Sequence, residues 1–118
     1  MADSRDLKDR TKRFAINVIR MVDKLPRSVA TEVISRQLVK AATSVGANYR
    51  AACRGRSSAE FIAKLQIVLE EADESEYWLE LMLELGLPDS ALMQKLVREA
   101  NELTAIFVTA LKTARSKQ

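Results

Sequence analysis

The chain has no histidine, one cysteine, three glycines and two prolines in 118 residues, and aromatic side chains make up only 5%. Each shortage excludes something. Without histidine, a nucleophile and base pair has to be built from lysine or carboxylates, and no Ser-x-x-Lys signature or glycine-rich phosphate loop is present. The reading is therefore of a protein that is not an enzyme and takes no cofactor. Cys53, standing alone, can form neither an intramolecular disulfide nor a thiolate metal site; it reads as a small packing residue and agrees with a reducing compartment. No apolar run approaches the roughly 18 residues that span a bilayer, and the charged start MADSRDLKDR lacks the apolar core of a signal peptide. A cytoplasmic protein with no membrane partner is the expectation.

What remains is rich in helix formers: 47% of residues are hydrophobic and 30% charged, a balance that supports one packed core. Three interruptions divide the chain. Leu25-Pro26-Arg27-Ser28 ends one helical pattern, since proline disfavours helix in the residue before it, and Ser28 can cap the next. Arg54-Gly55-Arg56-Ser57-Ser58 supplies a glycine stop and a serine start, with Glu60 placed for a capping contact. Gly86-Leu87-Pro88-Asp89-Ser90 repeats the pattern. The spacing predicts one all-α domain over 1–118 with helices at about 4–25, 28–54, 58–86 and 89–115. Short connections between long helices imply an antiparallel up-down-up-down four-helix bundle.

Helical wheels assign faces. Leu7, Phe14, Val18, Met21, Val22 and Leu25 form the inward arc of the first helix, and Ala30, Ile34, Leu38, Ala41, Val45, Tyr49 and Ala52 that of the second. Arg10, Arg13, Arg20, Lys24 and Arg27 make a basic stripe on the first helix, and Arg36, Lys40, Arg50 and Arg54 one on the second. Ser44 and Asn48 lie at the edge of the second apolar arc and read as buried polar residues, with Asn48 fixing helix register. The third helix is apolar on two sides. Phe61, Leu65, Val68, Ala72, Leu79 and Leu83 face the core, while Ile67, Tyr77, Trp78, Leu81, Met82 and Leu85 fan around the far side with Glu70 and Glu74 among them. Such a second face marks an interface, here for self-association. Ile16 and Ile19 add to it, and Val39, Ala42, Gly46 and Cys53 offer a small-residue flank for close helix approach. The fourth helix has a single apolar face from Leu92 to Leu111.

Charge divides unevenly: residues 1–56 hold 13 Lys or Arg against 5 Asp or Glu, a net +8, and residues 57–118 hold 6 against 11, a net −5. A basic half is the footprint of a phosphate-backbone binder, with Arg10, Arg13, Arg20, Lys24, Arg36, Lys40, Arg50 and Arg54 as its contacts. Its rival is a solvated surface whose arginines pair with the acids of the third helix. The acidic run from Glu70 to Glu84 does not read as a metal site, because carboxylate-bridged metals in bundles also use Glu-x-x-His pairs.

Three segments carry a resemblance to a known family: Ala41-Ala42-Thr43-Ser44-Val45-Gly46-Ala47-Asn48-Tyr49-Arg50-Ala51-Ala52, then Ser57-Ser58-Ala59-Glu60-Phe61-Ile62-Ala63-Lys64-Leu65, then Glu70-Glu71-Ala72-Asp73-Glu74-Ser75-Glu76-Tyr77-Trp78-Leu79-Glu80-Leu81. Together they resemble the bacterial four-helix bundle family, also called the intervening-sequence protein family, over nearly the whole chain. The resemblance implies a barrel- or funnel-shaped homopentamer. It also suggests a distant relation to the accessory variability protein of diversity-generating retroelements, a basic bundle that binds nucleic acid and a reverse transcriptase. Relatives often read Asn-Tyr-Arg-Glu-Ala where this chain has Ala51, so any pairing made by that glutamate is missing here. The partners expected are other copies of the chain, RNA or DNA, and, as the alternative function, a protein bound by a scaffold indifferent to nucleic acid.

Overall fold

A computed structural model describes residues 4–118; residues 1–3, the start of the expected domain, lie outside the described residues. Four helices follow one another: α1 (Ser4–Val22), α2 (Val29–Cys53), α3 (Ser58–Glu84) and α4 (Ser90–Ser116). They form a four-helix bundle about 47 Å long and 20 Å across.

The ends are set by the residues that interrupt the pattern. α1 stops three residues before the expected 25, because Lys24 and Leu25 donate their N–H groups to Met21 and Val22, tightening the chain ahead of Pro26. Ser28, Ser57 and Asp89 cap the next three helices, each accepting from the N–H three residues on. Glu60 reaches back to the Arg56 N–H at 2.9 Å, close to a capping box. α3 ends in a Schellman turn: the Leu87 N–H bonds to the Met82 carbonyl, the Gly86 N–H to that of Leu83, and Gly86 takes φ 71°. A side chain at Gly86 would strain that left-handed conformation.

Each helix packs on its neighbours in sequence, and α4 closes back on α1. Pairs across the seams run against the numbering. Lys8, Thr11, Lys12 and Ala15 share a groove with Arg50, Ala47, Gly46 and Thr43, and Glu76 bonds to Asn101 while Gln66 bonds to Arg115. This is the order of antiparallel neighbours.

One core runs through all four helices, with Phe14, Val18, Leu38, Val45, Leu65, Leu79, Met93, Leu103 and Phe107 at 1% exposure or less. Tyr49 and Phe107 meet across it with ring centroids 5.5 Å apart and planes tilted by 47°. Several inward assignments shift: Ala30 is exposed while its neighbour Thr31 is buried, and Val22, Leu25, Phe61 and Leu83 are only half-buried. Thr11 and Ser75 are buried too. Their hydroxyls donate to the carbonyls of Leu7 (2.7 Å) and Glu71 (2.8 Å) on their own helices, which removes the cost of burying them.

Ser44 and Asn48 are half-buried rather than buried, and Asn48 donates to the Ser44 carbonyl at 2.9 Å within α2. An amide satisfied by its own helix does not pin a register between helices. Met82, expected on the outer face of α3, has 0% exposure and belongs to the core, one turn beyond Leu79. The small-residue flank of α2 is likewise used inside the chain. Ala42 is fully buried, and a Cβ on Gly46 would lie 3.2 Å from the Thr11 hydroxyl oxygen of α1.

Candidate nucleic-acid interface

The cations predicted on α1 and α2 have different fates. Arg10 is engaged: its Nε and Nη2 donate to the two carboxylate oxygens of Glu99, each at 2.7 Å, and Nη2 lies 3.2 Å from Glu102. The Glu99 hydrogen bonds raise its pKa above the ordinary arginine value, against partial desolvation. Arg13 pairs with Asp9 one turn back at 3.2 Å, both exposed. Arg20, Lys24, Arg36, Lys40, Arg50 and Arg54 are exposed, and none has a carboxylate within ion-pair distance among the described residues. Lys40 feels Glu71 at longer range. So among the described residues no cation of the predicted set forms an ion pair with an acid of α3.

Position along the bundle re-sorts the charge. The antiparallel order brings the starts of α1 and α3 and the ends of α2 and α4 to one pole. Residues 4–16, 42–71 and 104–118 make up that half, with twelve Lys or Arg against five Asp or Glu, a net +7; residues 17–41 and 72–103 carry seven against ten, a net −3. The molecule is a dipole along its long axis, and the basic pole draws on α4 through Lys112, Arg115 and Lys117 as well as on α1 and α2. Lys8 and Lys12 were not in the predicted set. They lie outside the arginine arc of α1, on its flank toward α2, where they meet Arg50 around a small groove. Only the pairing of the two helices reveals that meeting.

Most of the residues predicted for an interface on α3 are at least partly exposed on its outer side. Tyr77 and Leu85 are exposed at 58% and 55%, Ile67 at 37%, and Glu70 and Glu74 stand among them. Leu81 and Trp78 are half-buried against the core. Trp78 meets Tyr77 edge-on at 5.0 Å, and its indole N–H is buried with no acceptor among the described residues. Val33 and Val29 of α2 are 51% and 83% exposed. Ile16 and Ile19 of α1 are exposed at 38% and 37%. Among the described residues, no helix is long and apolar enough to cross a membrane.

No curated protein matches the chain. A crystal structure of a protein of unknown function from the S23 ribosomal protein family of Bacteroides thetaiotaomicron is similar, with a TM-score of 0.80 and 30% identity over 90% of this chain and 98% of that one. The model of the 23S rRNA-intervening sequence protein family matches residues 5–109. With most of α1 to α4 inside that match and the same bundle in the solved relative, the chain belongs to the 23S rRNA-intervening sequence protein family.

Proposed function

We propose that the protein is a non-enzymatic, homo-oligomeric binder of the nucleic-acid phosphate backbone, using cations of α1 and α2. The observation that carries the reading is that Lys8, Lys12, Arg20, Lys24, Arg36, Arg50 and Arg54 have no carboxylate within ion-pair distance among the described residues, although the sequence holds 16 acids. Free cations gain free energy when they displace counterions from phosphates, and Lys8, Lys12, Arg50 and Arg54, which stand in the net-positive half of the bundle, also raise the local potential there. The exposed apolar strip of α3 supports self-association, and a neighbouring subunit could supply the acceptor that the Trp78 indole lacks. Repeated copies would then multiply the basic surface.

Fluorescence anisotropy with short RNA and DNA, titrated with salt, tests the binding. The wild type should bind below about 100 mM salt and release above it, with Arg20→Glu plus Arg54→Glu abolishing the complex. Failure of the wild type to bind either polymer would overturn the reading. Light scattering tests the assembly. Tyr77→Glu with Leu85→Glu should keep the helical signal and lower the molar mass; a wild-type monomer would remove the assembly from the proposal. The same apolar strip favours a second reading, a protein-interaction scaffold, in which a specific protein copurifies and polyanions are ignored.

A further inference from the structure

The groove between α1 and α2 is a candidate for a defined contact rather than diffuse charge. Gly46 lets the two helices approach closely, its Cα hydrogen side facing the Thr11 hydroxyl. The resulting slot holds about 220 Å³, and the small residues Ala15, Gly46 and Ala47 are part of its lining. Lys8, Lys12 and Arg50 stand around it, none with a carboxylate within ion-pair distance among the described residues. Lys8 and Lys12 are one helical turn apart on the same flank, so both ammonium groups can reach one bound anion or two in succession.

The chemistry of the walls narrows the ligand. The two hydroxyls in the slot are already committed as donors, Thr11 to the Leu7 carbonyl and Thr43 to that of Val39, each at 2.7 Å. No amide, carboxylate or aromatic ring lines it. A site with free cations and no free amide or carboxylate recognises negative charge; it offers no acceptor to the amino groups of adenine or cytosine, and of the base edges only guanine O6 and N7 are open to its lysines and arginine. It also has no aromatic ring on which bases could stack, the platform on which single-strand binders rely. The aromatic rings are placed elsewhere: Phe14, Tyr49 and Phe107 in the core, Phe61 half-buried against it, and Tyr77 and Trp78 on the acidic α3.

Resting on the nucleic-acid reading above, we infer that the α1–α2 slot, with Lys8, Lys12 and Arg50, is a phosphodiester-binding site that holds the backbone of a duplex without regard to its sequence.

The test compares two triple substitutions with equal loss of charge at the same pole, measured by anisotropy against one duplex and its matched single strand over a salt series. One triple is Lys8→Gln, Lys12→Gln and Arg50→Gln; the other, on α3 and the C-terminal end of the chain, is Lys64→Gln, Lys112→Gln and Lys117→Gln. All six positions are solvent-accessible, and circular dichroism checks that both variants fold. The expected result is that the wild type binds duplexes of unrelated sequence alike and above the single strand. The slot triple should lower the slope of log K against log salt by about 2 to 3, and the other triple should lower it by less than about 1. Equal effects of the two triples, with the wild type still bound, would overturn the slot and leave the broader reading standing. A preference for the single strand would overturn the duplex assignment, and a wild type that binds neither would overturn both.

Discussion

Helices α1 and α3 occupy diagonal corners of the bundle and sort their side chains in opposite ways. α1 is mainly one-faced: Leu7, Phe14, Val18 and Met21 are buried together, and charged residues take most of the remaining surface, with Ile16 and Ile19 at its edge. α3 buries Leu65, Val68, Ala72, Leu79 and Met82 yet still exposes Ile67, Tyr77 and Leu85 among acids. A one-faced helix is complete within its own chain. A two-faced helix is complete only when something covers its second face, and its neighbours α2 and α4 already occupy the flanks.

The largest effect expected from this contrast lies within α3. Met82→Ala should cost about 2 to 5 kcal/mol, as removal of a fully buried side chain does, while Leu85→Ala, at an exposed helix end, should change stability by about 0.5 kcal/mol or less. Urea unfolding at low protein concentration measures both. Equal losses at high concentration but not at low would show that Leu85 is covered by another copy in solution, which would sharpen the comparison rather than break it.

The same contrast explains what could be read without coordinates. On α1 the hydropathy pattern has one solution: Leu7, Phe14, Val18 and Met21 are buried, and Val22 and Leu25 pack half-buried against the core. On α3 an apolar residue such as Met82 fits either side of the wheel, and only the packing of α2 and α4 decides. The capping residues Ser28, Ser57 and Asp89 were legible because each acts on its own turn. Thr11 and Ser75 were not, because a hydroxyl bonded to its own helix behaves as an apolar residue while still counting as polar in the sequence. The site divides in the same manner. Single-helix arcs picked out Arg10 and Arg13, which turn out to be paired, but could not place Lys8 and Lys12 beside Arg50, a relation that exists only across a helix seam.

A middle-sized effect separates the two paired arginines of α1. Arg10 makes a two-pronged contact with Glu99 that ties α1 to α4, the seam with the least backbone contact, whereas Arg13 pairs only within its own helix. Arg10→Gln should therefore lower stability by about 1 kcal/mol, allowing for screening at a side chain that is one-third exposed. Arg13→Gln should stay within about 0.5 kcal/mol. Thermal unfolding of both variants checks the order, and a larger loss for Arg13 would contradict the assignment of Glu99 as the clasp between α1 and α4.

The smallest effect concerns the acids of α3. Glu71 has its pKa raised, first by desolvation and then by the neighbouring Glu74 and Glu70, with Lys40 of α2 pulling the other way. A carboxyl held above its unfolded value binds its proton more tightly in the folded state, so it favours folding at low pH and that contribution is lost as pH rises through the folded pKa. At pH 7 the ionised Glu71 is therefore a cost, and Glu71→Gln should raise the Tm there. The advantage should shrink as pH falls through the folded pKa toward the ordinary glutamate value, where the wild-type carboxyl is protonated as well. A variant that is less stable at pH 7 would show that the attraction between Lys40 and Glu71 outweighs burial and repulsion, and that a cation of α2 is held by α3 after all.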